Sequence, residues 1–419
     1  MKHIYLLSPA ALIAAVAQPA SAQQAPARVE APPPQDGLTL SGSVRLRYEA
    51  IDGQARAGFN TSDELVNLRT NILAEYRKGD VRFGVELFDS RVWGDDAGTP
   101  VTTNEVNTLE PVQAYVAADF NGAFGRGTKL TLTAGRMTLN LGSRRLVAAD
   151  DYRNTTNGYT GLRADISAPQ GWKATFIYTL PQVRLPDDNE GIRDSKVRLD
   201  RESFDLVLWG GQLSKAKALG PATAELTYFH VGERDAPGRP TRDRSLDTFG
   251  GRLIAEPRTG AFDYEIEALY QVGHVSASLV PTAARQSVSA SFIHADVGYS
   301  FAGPWKPRLS VEFDRASGDK PGGRFGRFDT LFGMRRADLA PAGLYNAVAR
   351  ANIMSPGVRI EATPRIRKSL PQFADRTTWT ATPEEVPHAG GVDVLGYVIA
   401  SLVTIRPPMV QFHGSIRRA

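Results

Sequence analysis

Cysteine is absent from all 419 residues, so neither a disulfide framework nor a thiolate metal site is open to this chain. Histidine is nearly as scarce: His3, His230, His274, His294, His388 and His413 show no metal-ligand spacing. No segment after the N-terminus is long and apolar enough for a membrane-crossing helix. A phosphate loop is missing too, since Gly122 to Gly127 reads as a hairpin turn with no strand–helix unit around it. Asp187, Asp188, Asn189, Glu190 and Gly191 resemble half of a calcium loop but lack the closing bidentate glutamate, and read as a solvated loop. A barrel-borne hydrolase would need a Ser–His or Asp–His set near the rim. His230 and His274 are the only candidates and read better as interfacial or loop residues. The expectation is a protein that is not an enzyme and uses no cofactor or metal.

Charge narrows the partners. The net charge is +4 with a pI near 9.2, and roughly four in five of the basic residues are arginine. They are spread along strand-like segments instead of clustering on a helix, which argues against nucleic acid and leaves a membrane surface or an acidic ligand.

The first residues carry an address. Met1, Lys2 and His3 form a short positive region, residues 4–17 are apolar and alanine-rich, and Ala20, Ser21 and Ala22 offer the small side chains of a cleavage site. Residues 1–22 therefore read as a signal peptide. Residues 23–37, rich in Gln, Ala and Pro, read as a flexible periplasmic lead-in.

What the chain has in abundance is alternation. Leu40, Val44, Leu46, Tyr48 and Ala50 interleave with Ser41, Ser43, Arg45, Arg47 and Glu49. Val66, Leu68, Ile72, Ala74 and Tyr76 stand against Asn67, Arg69, Asn71, Glu75 and Arg77. Phe262, Tyr264, Ile266, Ala268, Tyr270 and Val272 stand against Asp263, Glu265, Glu267 and Gln271. Shorter stretches repeat the pattern up to residues 357–366. Aromatics such as Trp93, Trp172, Trp209, Tyr228, Tyr299 and Trp305 cluster at strand ends. Tight turns around Gly79 and Gly260 contrast with long connections over residues 90–108, 181–201, 232–246, 274–286 and 317–351. A lipid-facing wall around a wet lumen needs this combination. The predicted fold is all-β: a transmembrane, antiparallel up-and-down β-barrel of about 16–18 strands over residues 38–376.

Two blocks carry a family resemblance. The first runs from Gly135, Arg136 and Met137 through Gly142, Ser143, Arg144 and Arg145 to Asp151, Tyr152, Arg153, Tyr159 and Arg163. The second holds Ser317, Gly318 and Asp319, then Gly326, Arg327, Phe328, Asp329, Thr330, Leu331, Phe332 and Gly333, then Asn352 to Gly357. Together the chain resembles the alginate export (AlgE-like) family of outer-membrane porins. The resemblance implies a monomeric barrel of about eighteen strands in the outer membrane of a Gram-negative bacterium. It also implies a lumen lined by arginine that passes anionic polysaccharide. Its surroundings would be outer-membrane lipid and lipopolysaccharide, with delivery by the barrel-assembly machinery.

Mapped onto this sequence, the implied pore-lining residues are Arg136, Arg144, Arg145, Arg153 and Arg163 in the first block and Arg324, Arg327, Arg335 and Arg336 in the second. Strand parity adds Arg45, Arg47, Arg69, Arg77 and Arg359. Arg136 breaks the parity of Leu130, Leu132 and Ala134, so a bulge near Gly135 is expected to turn it inward. For each arginine the alternative is a salt bridge that only holds the interior together, with Asp150, Asp151 and Asp329 as candidate partners.

Residues 377–419 depart from the pattern. Residues 390–405 are apolar on both parities, Pro407 and Pro408 follow, and the chain ends at Arg417, Arg418 and Ala419 without a terminal aromatic. Two readings fit: a divergent ending, or a truncated or frame-shifted product lacking its closing strands. The second is the expectation, and an open edge in lipid would leave backbone groups unsatisfied. The functional expectation is a porin passing anionic polysaccharide or small anions by passive diffusion. The alternatives are a general uptake porin for organic anions and a non-conducting structural or adhesive surface barrel.

Overall fold

The structure, a computed structural model, describes residues 36–53, 57–150, 153–319, 324–334 and 349–362, and the backbone of 398–401 and 404–405. Fourteen long strands follow one another: β1 (Gly37–Ile51), β2 (Asp63–Lys78), β3 (Val81–Trp93), β4 (Asn107–Asn121), β5 (Lys129–Met137), β6 (Tyr159–Ala168), β7 (Trp172–Pro181), β8 (Leu206–Leu219), β9 (Ala222–Glu233), β10 (Ser245–Ala255), β11 (Phe262–Ser276), β12 (Arg285–Ser300), β13 (Arg308–Ala316) and β14 (Ile353–Glu361). Each pairs antiparallel with its sequence neighbours in a single sheet, the up-and-down order expected. Two short stretches, β15 (Val398–Ser401) and β16 (Thr404–Ile405), also pair with β14, inside the segment where the sequence pattern fades. The described residues contain no pairing between β1 and the far end of the sheet. The one α-helix among the described residues, α1 (Asn189–Arg193), begins at Asp188, whose carboxylate accepts from the Gly191 N–H at 2.8 Å. The acidic stretch read as half of a calcium loop is thus a helix cap, with Arg198 beside Asp188 and Lys196 beside Glu190.

Burial runs opposite to that of a water-soluble sheet. On β11 Phe262, Ile266 and Tyr270 are 69%, 44% and 49% exposed, while Asp263, Glu267 and Gln271 are 1%, 6% and 0% exposed. On β2 Ile72 and Tyr76 are exposed and Asn67 is fully buried. Apolar side chains therefore cover the convex face and polar ones the concave face, which is the division a membrane-spanning wall needs. Two aromatic rows cross the convex face. Trp209, Tyr228 and Phe249 stack at 5.4 and 5.1 Å, with Tyr270 next in register, and Phe262, Tyr299 and Phe301 stack at 5.0 and 4.9 Å. Along β11 the rows lie at Tyr270 and Phe262, about 27 Å apart by strand rise. Strand tilt brings that close to the ~25 Å apolar band of outer-membrane walls.

Connections sort by end. Those after β2, β6 and β8 span only residues 79–80, 169–171 and 220–221; those after β5, β7 and β13 span 138–158, 182–205 and 317–352. All long connections share one end of the sheet. The chain enters β1 at the other, so the short-turn end is the one toward which a periplasmic lead-in would run.

Candidate functional site

The connection after β5, residues 138–158, does not stay at the rim. Its described residues, 138–150 and 153–158, cross the concave side as a strap, and the two ends are held by strands that lie far apart in the sheet. At one end Asn154 donates through Nδ2 to the carbonyls of Leu68 on β2 (2.9 Å), Arg91 on β3 (3.2 Å) and Glu105 (2.9 Å). At the other, Arg145 donates from Nη1 to Glu265 Oε1 (2.6 Å) and Glu267 Oε2 (2.8 Å) of β11, and Ser143 Oγ donates to Glu267 (2.8 Å). One segment can reach both only because the sheet curls round it.

A second segment, residues 324–334, joins the strap. Val147 bridges Phe332 in parallel, the Ala148 N–H donates to Phe332 O, and the Met334 N–H donates to Arg144 O. Phe325 bridges Val288 on β12, and the Asp329 N–H donates to Gln271 Oε1 on β11. Between them lies an apolar cluster inside the curl that includes Met137, Leu139, Tyr159, Phe292 and Phe328. Apolar burial fixes where the two segments sit, and polar contacts fix what they present.

On the side facing β1 and β2, guanidinium groups converge. Arg45 Nη2 and Arg69 Nη1 both donate to the Arg153 carbonyl, at 2.6 and 3.2 Å. The Arg153 side chain donates to Asn104 Oδ1 (2.6 Å) and Asn157 Oδ1 (3.0 Å) and pairs with Asp150 at 2.9 Å. Arg184, from the connection after β7, donates to the same two amide oxygens, at 3.0 and 2.6 Å, and to Thr103 O at 2.8 Å. Burial and the neighbouring Arg153 charge push the Arg184 guanidinium down to about 10. Burial pushes Glu105, in the connection after β3, up to about 7. It also pushes Asp200 up to about 7, with the Glu110 charge adding to the effect.

The other expected residues take varied places. Arg145 and Arg359 are buried in ion pairs, Arg359 with Glu312 at 2.7 Å. Arg163 pairs with Asp165 at 2.6 Å, Arg47 with Glu49, and Arg77 lies 3.7 Å from Asp119. Arg144 donates to Ala149 O at 3.0 Å. Arg324 and Arg327 are exposed, and Asp319 accepts from the Arg327 backbone N–H. Arg335, Arg336 and Asp151 lie outside the described residues. Asp329 pairs with Arg244 at 3.1 Å.

Arg136 does not follow the expected route. Pairing from β4 through β5 to β6 runs unbroken past Gly135, so Arg136 keeps the parity of Leu132 and Ala134. The register shift lies instead on β4, where Glu86 and Leu87 face Gln113 and Pro111 and Val112 is the extra residue. From that parity Arg136 reaches Glu110 (2.6 Å) and Glu202 (2.8 Å) and clamps the connection after β7.

Sequence reasoning missed Arg184, Arg252 and Arg308. Arg252 sits on the polar parity of β10 between Glu225 and Glu265, so parity alone could have marked it. Arg308, at the start of β13, gathers Asp263, Asp296 and Glu361, carboxylates from three strands that only the sheet order brings together. Spacing along the chain also hid the grouping of His294, Glu312 and Asp314, whose ligand atoms lie within 4.8 Å of one another. Arg359 already supplies a positive charge to Glu312 there, and His294 Nδ1 lies 2.9 Å from Asp314. His230 pairs with Asp247 on the convex face beside Trp209, an interfacial place.

The alginate export family model matches residues 36–374. No curated protein is matched. Among solved structures, a BenF-like porin from Pseudomonas fluorescens Pf-5 is 14% identical, with 78% of each chain covered and a TM-score of 0.49. OccK2 (OpdF) of Pseudomonas aeruginosa, solved in complex with glucuronate, is 12% identical over 78% of this chain and 74% of that one, with a TM-score of 0.44. OccAB1 of Acinetobacter baumannii is also 12% identical, with the same coverage and a TM-score of 0.45. Likeness at this level identifies no substrate.

Proposed function

The chain belongs to the alginate export family of outer-membrane proteins, and from that premise we propose that it is a channel whose arginine-rich constriction passes acidic polysaccharide, oligosaccharide or small organic anions by passive diffusion. The observation that carries the reading is the convergence of Arg45, Arg69 and Arg184 on and around Arg153. Guanidinium stays charged at any physiological pH and pairs with carboxylate in a fork. A uronate polymer presents one carboxylate per sugar, so successive units can exchange along such a group. Arg45, Arg69 and Arg153 are held through one backbone carbonyl, and Arg153 and Arg184 share two amide oxygens. Asp150 pairs with one of them, Arg153, and these contacts hold the guanidinium groups side by side at one end of the strap. Conduction needs the contact with a passing anion to be weak and repeated.

Arg145, Arg359, Arg163 and Arg136 each pair with a carboxylate of the wall or of a connection. They brace the strap and the wall. Selectivity then rests on the cluster at the β1–β2 side of the strap and not on a continuous arginine lining. Residues 1–22 direct export, and insertion follows through the barrel-assembly machinery as a monomer. The partition welded by Val147 and Phe332 favours a second reading, a barrel whose strap closes the lumen and which serves a structural or adhesive part.

Reconstitution in a planar bilayer under a KCl gradient separates them. A reversal potential of the sign set by chloride is the expected result. Cation preference overturns the anion reading, and a folded, heat-modifiable protein without conductance supports the structural one.

A further inference from the structure

A hollow opens just beyond the upper aromatic row of the convex face. Trp209, Tyr228, Phe249 and Tyr270 mark that row. On the same face, nearer the long connections, follow Val207, Gly232 and Ser245, with Gly232 the register partner of both others. With Phe204, Arg234 and Arg285 they line an open hollow of about 630 Å³. Glu233, Asp243 and Arg244 complete the lining, and Arg244 reaches Asp329 of the inner segment, so the hollow sits at the long-connection rim of the wall.

Its chemistry is that of a phosphate site with an apolar rim. The Arg234 side chain is 70% exposed, steadied by the Phe204 carbonyl at 3.1 Å and lying 3.6 Å from Asp205. Arg285 is exposed and has no ion pair among the described residues. The acids beside them are engaged: Glu233 takes two bonds from Arg244 at 2.9 and 3.0 Å, and Asp243 accepts from the Asp235 N–H and the Ser276 hydroxyl. Phe204, 66% exposed, supplies an apolar contact at the edge. Two guanidinium groups above an interfacial aromatic row stand at headgroup height. A hollow of this size suits one phosphorylated sugar unit.

We propose that this hollow binds the phosphorylated sugar headgroup of an outer-leaflet glycolipid. The proposal rests on the reading that the convex face meets outer-membrane lipid, and is independent of what the lumen passes.

The test uses the full chain, purified and folded in detergent. Native mass spectrometry follows binding of bisphosphorylated lipid A, of dephosphorylated lipid A, and of inorganic phosphate. The expected result is binding of the phosphorylated lipid, at least tenfold weaker binding of the other two, and a tenfold or greater loss in R234E/R285E. R258E, at the short-turn end, should bind as wild type. Heat-modifiable migration reports whether the double variant is folded; if it is not, R285Q is measured in its place, with a severalfold loss expected. Undiminished lipid binding in the folded variant overturns the site. Equal binding of inorganic phosphate and lipid overturns the lipid assignment. Bilayer selectivity of R234E/R285E should match wild type, so failure of the hollow and failure of the channel reading are told apart.

Discussion

Arg145 Nη1 lies 2.8 Å from Glu267 Oε2, joining the connection after β5 to the inner face of a strand six places away in the sheet. Arg145 is 1% exposed, and Glu265 Oε1 lies 2.6 Å from the same Nη1. Removing one member of a buried pair strands the other charge, at a cost of about 3–5 kcal/mol, whereas removing both is often close to neutral. R145M should therefore destabilise the folded protein by about 3 kcal/mol, and R145M/E267Q should recover most of the loss. Urea unfolding from vesicles, read through tryptophan fluorescence, checks this. A double variant as unstable as R145M would mean that the pair is not a coupled unit.

How far the sequence foretells this architecture depends on what each feature requires. The alternation on β2 and β11 is legible because one face must be apolar to sit in lipid, and Ile72, Tyr76, Phe262 and Tyr270 are exposed as the pattern requires. Short turns and long connections are legible from Gly, Pro and charge. The strap is not. Residues 138–158 have no periodicity, and Asn154 acquires its role only when the sheet curls Leu68, Arg91 and Glu105 to within reach of it. The same holds for the arginines. Their residue type is evident, but the partners each one meets, such as Glu265 for Arg145 and the Arg153 carbonyl for Arg45, are set by strands far apart in sequence. Gly135 marks a distortion, with φ at +120°, yet the strand absorbs it without shifting register.

The proposed arginine constriction predicts a charge-reversal phenotype. Arg45 and Arg69 reach one carbonyl, so R45E/R69E places two carboxylates where two guanidinium groups stood, a change of four charges. That spacing is within the ~8 Å screening length of physiological salt, so a passing ion feels both. The chloride-to-potassium permeability ratio should fall severalfold and its sign of preference invert. R163E, whose parent arginine is paired with Asp165, should shift the ratio much less. Equal shifts in the two variants would remove the β1–β2 cluster from its special place.

Backbone proximity makes a folding prediction at Gly135. A Cβ there would lie 2.3 Å from the Ala114 carbonyl oxygen on β4, and the φ of +120° is strained for any side chain. G135A must break β4–β5 pairing or twist the strand, and the folded fraction should fall sharply. Gly79 is the control: its φ is +58° in the turn after β2, and a methyl group added there would meet nothing within 4 Å. G79A costs about 1 kcal/mol and should fold. Heat-modifiable migration of the two variants after refolding into micelles decides; equal yields would contradict the close approach of β4 and β5.

The connections that brace the arginine cluster predict a loosening as pH rises. Burial holds Glu105 and Asp200 at about 7, against ordinary values of 4.5 and 3.8. Glu105 accepts from the Thr102 N–H at 2.9 Å, and Asp200 accepts from the Leu185 N–H at 2.8 Å and from Asn107 Nδ2 at 2.7 Å. Below the ordinary values, packed and released loops alike carry the protons, and packing is at full strength. Between there and about pH 7 only the released loops ionise, so each step in pH favours release; above 7 the loss is complete. The total is on the order of 3 to 4 kcal/mol per group at most, since one pH unit of difference is worth about 1.4 kcal/mol. Hydrogen exchange over residues 94–106 and 182–205, corrected for intrinsic rate, should therefore show protection that falls from pH 5 to pH 8. E105Q and D200N should each flatten part of that slope. Protection that rises over the same range would mean that these carboxylates are ionised within the packed loops, with Arg153 and Arg184 as their counter-charges.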